Sequence, residues 1–182
     1  MTPRSTPTLD GLVVRRLALT DAHAWAEFAV LPEVLQFTST QASSAADLVP
    51  MIERALADDP NAPHLFGAWA AADGALLATF GFHTVSSLNR SAEVTYTVQP
   101  AHWGRGLATR LCAAAVDWAF HDRGWVRVQA TVLEPHVASQ RVLQKCGFEF
   151  EGRMRNFRVV RGVPRDYLLF SIVPAAADAP GR

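Results

Sequence analysis

The stretch Val98-Gln99-Pro100-Ala101-His102-Trp103-Gly104-Arg105-Gly106-Leu107-Ala108-Thr109 carries the residue types and spacing best suited to chemistry. A β-type run ends at Val98, and Pro100 follows, which cannot donate to a strand ladder. Two glycines then turn the chain into a helical run that opens at Leu107. The first four N–H groups of a helix lack internal partners, and the macrodipole makes that end partially positive. Glycines let successive amides converge on one concavity, which suits a phosphate or diphosphate. Arg105 and Arg110 would add positive charge. The plainer alternative is a tight turn that binds nothing. A P-loop needs Gly-Lys-Ser or Gly-Lys-Thr, and the chain has neither. A dinucleotide fingerprint needs a third glycine where Thr109 stands. It also needs an acidic residue about 20 residues on. Glu134 lies 28 residues past Gly106.

The elements that must position this loop are legible from periodicity. Residues 12–19 read as a strand, and Thr20-Asp21 starts a helix with Trp25, Phe28 and Ala29 on one face. A second helix begins near Ser44, with Leu48, Met51, Ile52, Ala55 and Leu56 as its apolar stripe. Residues 64–71 and 75–83 read as strands around Asp73-Gly74, and 92–98 as a third. A helix over 107–123, a strand over 126–133 and a helix over 137–146 follow, the last stopped by Gly147. Strands over 157–160 and 167–173 flank Arg161-Gly162-Val163-Pro164. The order is β-α-α-β-β-β-α-β-α-β-β, a mixed α/β (α+β) sheet with helices packed on it.

The chain has 182 residues, enough for one domain with its own core. Seventeen Lys and Arg balance seventeen Asp and Glu, so no net field draws it to nucleic acid or an anionic membrane. No apolar run approaches a membrane span, and residues 1–11 show no secretory h-region. Cys112 and Cys146 belong to no CxxC or Cys/His cluster. The expected setting is therefore a reducing, cytoplasmic one. The six histidines show no metal-ligand spacing, and no Gly-x-Ser-x-Gly elbow is present. Arg153, Arg155, Arg158, Arg161 and Arg165 read as solvated strand residues facing Glu149, Glu151 and Asp166 rather than as a nucleic-acid surface. The expected organisation is a flexible end over 1–10, one domain over 11–173 and a flexible tail over 174–182.

The glycine loop resembles the acetyl-CoA motif of the GNAT superfamily of N-acetyltransferases, Arg/Gln-x-x-Gly-x-Gly/Ala after the fourth strand. Residues 103–108 match it with Trp103 first, as in the RimJ/RimL-like branch of ribosomal-protein N-terminal acetyltransferases. Residues 136–152 are similar to that branch's Asn-x-Ala-Ser-x-Arg-Val-Leu-Glu-Lys-x-Gly-Phe-x-x-Glu-Gly, with His136 at the Asn position. The resemblance covers roughly residues 12–173. It implies a GNAT fold whose fourth and fifth strands splay apart around acetyl-CoA, taken as co-substrate without a metal.

The resemblance also implies roles. Tyr96 and Val98 would flank the pantetheine arm, and the loop Gly104, Arg105, Gly106, Ala108 and Thr109 would hold the diphosphate. His136 would contact the pantetheine, although one imidazole cannot reproduce both functions of an amide. Glu93 is the candidate base for the acceptor amine, which must be neutral to attack; its other reading is a carboxylate in solvent or paired with an arginine. Ser139 is the candidate donor to the sulfur, and alternatively a helix-cap hydroxyl. The tyrosine acid of many relatives is replaced by Leu143. The expected activity is acetyl transfer to a primary amine, either a protein N-terminus or a small molecule. The rivals are a non-catalytic acyl-CoA-binding module and an aminoglycoside or polyamine acetyltransferase. Carboxylates lining the cleft would mark the latter. Edge strands of the C-terminal hairpin could join a homodimer or be capped.

Overall fold

The computed structural model describes residues 4–175. Its strands are β1 (Leu12–Arg16), β2 (His64–Ala70), β3 (Leu76–Ser86), β4 (Ser91–Val98), β5 (Arg127–Leu133), β6 (Glu149–Val160) and β7 (Val163–Ile172). Its helices are α1 (Ala22–Ala29), α2 (Pro32–Leu35), α3 (Ala45–Leu56), α4 (Leu107–His121) and α5 (Val137–Lys145). The strands make one mixed sheet in the order β1-β2-β3-β4-β5-β7-β6.

Alternation along β2 shows how the sheet is sandwiched. Phe66 and Ala68 face a core with Leu111, Ala115 and Trp118 of α4. Leu65 and Trp69 face the opposite core, with Trp25 and Phe28 of α1 and Leu48 and Ile52 of α3. A period of two along the strand therefore buries both faces under helices.

The one parallel contact in the sheet shapes everything that follows. β4 and β5 pair only at Ser91↔Arg127, Ala92↔Val128 and Glu93↔Gln129. Beyond Glu93 the two strands diverge, while β4 stays paired with β3 as far as Val98. Residues 94–98 thus keep an unpaired backbone edge facing the gap. This is the splayed, mixed α/β architecture the sequence led us to expect.

The element list differs from expectation in four places, one of them β7, which starts at Val163 rather than near 167, so that Val163 and Pro164 pair with Val160 and Val159 and only Arg161 and Gly162 are left in the turn. The helical insert contains three helices, because Pro32 opens a short α2 with its ring already at a helical φ. β1 stops at Arg16, where the chain enters a 3-10 turn over Leu19–Asp21. β6 starts at Glu149 rather than near 157, since an edge strand with solvent on both faces shows no apolar alternation. Of the expected flexible ends, residues 1–3 and 176–182 lie outside the described residues. Near the other limit, Arg4 packs on α4: its amide and guanidinium bond Asp122 at 2.6 and 2.8 Å, and Trp118 Nε1–H donates to its carbonyl at 2.9 Å.

Candidate active site

The loop between β4 and α4 is folded by its own backbone demands. Trp103 Nε1–H donates to the Val98 carbonyl at 2.7 Å and closes the turn over the strand end. Gly104 and Gly106 take φ of 72° and 78°, the left-handed region where a Cβ is strained. Gly106 is the N-cap of α4, and no side chain caps that end. Among the described residues, the amides of 104–109 have no protein acceptor, and the first bond of the turn is Arg110 N–H to Gly106 O at 3.1 Å. A Cβ built at Gly104 or Gly106 would meet no atom within 4 Å. The amides therefore border open space.

That space is a cavity of about 400 Å³. Gly104, Gly106, Ala108 and Thr109 line it from the loop, Tyr96 and Val98 from β4, and His136 and Ser139 from the start of α5. Arg105 is exposed and does not line it, and Arg110 donates instead to the Asp10 carbonyl. The wall's positive charge comes from Arg141 and Lys145, one turn apart on α5.

A second cavity, of about 380 Å³, lies on the α1/α3 side of the gap. The two share Phe37, Thr38, Tyr96, Thr97, His136 and Ser139. At this junction the Tyr96 and Ser139 hydroxyls stand 2.8 Å apart. Ser139 is not a cap, since its side chain turns to Tyr96 instead. Burial pushes the Tyr96 phenol well above its usual range, so it remains a protonated hydroxyl. His136 stacks on Phe37, ring centroids 4.2 Å apart and 9° from parallel. Burial lowers its pKa, which favours the neutral imidazole.

Glu93 lies behind the wall of the second cavity rather than in it. It is 6% exposed. Its Oε1 accepts from Thr131 Oγ1 and from Arg158 Nη2, the latter at 3.3 Å. His83 Nε2 lies 3.4 Å from the same oxygen, at ion-pair distance but without hydrogen-bond alignment. Burial alone would raise the Glu93 pKa. His83, Thr131 and the Arg158 charge outweigh it and hold the carboxyl at about 2. A carboxylate so acidic is a poor proton acceptor and a strong anchor for cations.

The structure thus gathers Tyr96, Val98, Gly104, Gly106, Ala108, Thr109, His136 and Ser139 around one cavity, and leaves Arg105 and Glu93 outside it. Sequence reasoning missed His83, Thr131 and Arg158 around Glu93, the Tyr96–Ser139 pair, and Arg141 and Lys145. The Arg141–Lys145 spacing on α5 was the only usable signal; the other contacts join residues 10 to 65 positions apart. Trp25 Nε1, His83 Nε2 and Tyr167 OH are buried without a hydrogen-bond partner, and all three side chains line the second cavity.

The family described as "Acetyltransferase (GNAT) domain" matches residues 11–149. The uncharacterized N-acetyltransferase YoaA of Bacillus subtilis (strain 168) is 37% identical over 98 residues, covering 54% of this chain and 55% of YoaA. The chain therefore matches about half the length of that relative. Mycobacterium smegmatis RimJ, solved in complex with CoA-disulfide, superposes with a TM-score of 0.79 at 24% identity, over 100% of this chain and 93% of that one. Spermidine N-acetyltransferase from Vibrio cholerae, solved with CoA and spermine, gives 0.79 at 19% identity, over 91% and 96%.

Proposed function

The chain belongs to the GNAT acetyltransferase domain family, and on that premise we propose that it transfers an acetyl group from acetyl-CoA to a primary amine. The observation that carries the reading is the row of unpartnered amides over residues 104–109, bordering a cavity that reaches the splay between β4 and β5. Convergent amides at a helix N-terminus, with Arg141 and Lys145 opposite, suit a diphosphate. Gly104, Gly106, Ala108 and Thr109 would hold it, with Tyr96, Val98, His136 and Ser139 along the pantetheine. Arg105 is left to solvent.

Acetyl-CoA supplies the thioester. The amine nitrogen forms a bond to the acetyl carbon, the carbon–sulfur bond breaks, and the amine sheds a proton. The Tyr96–Ser139 hydroxyl pair donates to the departing sulfur, which otherwise leaves as a thiolate. Glu93 is the anchor that positions His83 and Arg158, in place of the direct base first considered. His83 lines the cavity on the α1/α3 side beside that carboxylate and is the side chain placed to take the amine's proton. Held neutral, His136 adds no competing charge.

Calorimetry with acetyl-CoA and free-thiol release against a panel of amines test the reading. Saturable binding and amine-dependent thiol release are expected. Absence of acetyl-CoA binding contradicts it. Binding without release from any acceptor, protein N-termini included, favours the non-catalytic module.

A further inference from the structure

The cavity on the α1/α3 side narrows the class of acceptor, given the acetyl-transfer reading on which this inference rests. No Asp or Glu lines it. Its arginines are Arg54, in the last turn of α3, and Arg158 of β6. Glu93, behind the wall, is already engaged by Arg158, Thr131 and His83. Arg54 makes no ion pair or side-chain hydrogen bond among the described residues, so its guanidinium hydrogens are available to a ligand.

The neutral part of the wall has the same bias. Trp25 is 6% exposed, and its unpartnered indole N–H can only donate. Ser39, Thr38 and Thr40 add hydroxyls on one side. A polyamine placed here would set its second ammonium against Arg54 or Arg158 with no free counter-charge, and like charges at an interface oppose binding. A ligand bringing an anion meets a cation with no other partner. The volume, about 380 Å³, suits a small molecule.

We propose that the acceptor is a small amine that also carries a carboxylate, with its nitrogen toward the Tyr96–Ser139 junction and its carboxylate at Arg54.

The test is free-thiol release from acetyl-CoA with three amines of equal chain length: γ-aminobutyrate, butylamine and putrescine. An acidic and a basic peptide of matched length separate free amino acids from peptide termini. Expected is a kcat/KM for γ-aminobutyrate at least about tenfold above that for putrescine, with butylamine between. Arg54→Glu inverts the order, while acetyl-CoA affinity stays within about threefold because Arg54 is outside the other cavity. Calorimetry of the same amines on CoA-loaded protein gives the comparison independently of turnover. Preference for putrescine, an order untouched by Arg54→Glu, or CoA-loaded protein that takes none of the anionic amines overturns the inference and leaves acetyl transfer standing. Failure to bind acetyl-CoA at all would remove the reading beneath it.

Discussion

Replacing Gly106 by Asp separates folding from cofactor binding. In the free protein the cost is local. Gly106 has a φ of 78°, so an L-residue there loses about 1–2 kcal/mol. No atom lies within 4 Å of the new Cβ, so no clash adds to this. A carboxylate at the N-cap of α4 returns about 0.5–1 kcal/mol through the helix dipole. The net loss is on the order of 1 kcal/mol, or about 2–4 °C in Tm for a chain of this size. With a diphosphate in place the balance changes. Two unit charges about 4 Å apart at an effective dielectric constant near 20 repel by about 4 kcal/mol. Solvent screening that halves this still leaves a rise in Kd of about 30-fold. Gly106→Ala adds bulk without charge, and its smaller effect isolates the electrostatic part. Calorimetry with acetyl-CoA reads the binding, and scanning calorimetry reads the fold. A folded Asp variant whose Kd stays within about threefold of the parent refutes the reasoning.

Other outcomes follow from the same contacts. Ser139→Ala and Tyr96→Phe should each lower kcat by about 10–100-fold with little change in the KM for acetyl-CoA, and the double variant should fall short of the sum because the hydroxyls act as a pair. Glu93→Gln should cost roughly 1–3 kcal/mol in a urea titration, since Arg158 and His83 lose their counter-charge. With Glu93 near 2, its titration should be absent from kcat/KM between pH 5 and 9; an acidic limb there that vanishes in the Gln variant would make it the base after all. His64, half-buried beside Trp118 and Trp125, is held at about 4, below its ordinary 6.5, chiefly by burial. The unfolded chain takes up that proton first, so His64 erodes stability as pH falls from 6.5 toward 4, whereas the Glu93 contribution is lost only from 4.5 down to about 2. At pH 5 the His64 effect is about 1 kcal/mol after discounting for partial exposure, and His64→Gln should abolish it in the urea midpoint.

What the sequence disclosed was what local backbone chemistry encodes. Pro100, Gly104 and Gly106 announce a turn whose amides need φ above zero, and the structure has that turn at those residues. The alternation of β2 and the stripe of α3 reflect burial on a single face per side chain, so those elements were legible. β6 was not, because Arg153 and Arg155 stand on an edge strand where neither face is buried. α2 is a single turn, shorter than any period can reveal. The same limit governs the site. Arg105 is adjacent in sequence to the glycines but points to solvent, while Lys145, 40 residues further on, lines the cavity. The acid strength of Glu93 depends on Thr131 and Arg158, 38 and 65 positions away, which only the folded sheet brings to it.

The account rests on the amides of residues 104–109 meeting a diphosphate. Titrating ¹⁵N-labelled protein with CoA and following those cross-peaks tests it directly. Large, saturable shifts led by Gly104 and Gly106 are predicted, with Arg141 and Lys145 responding alongside. Saturation with CoA that leaves these amides unmoved would contradict it.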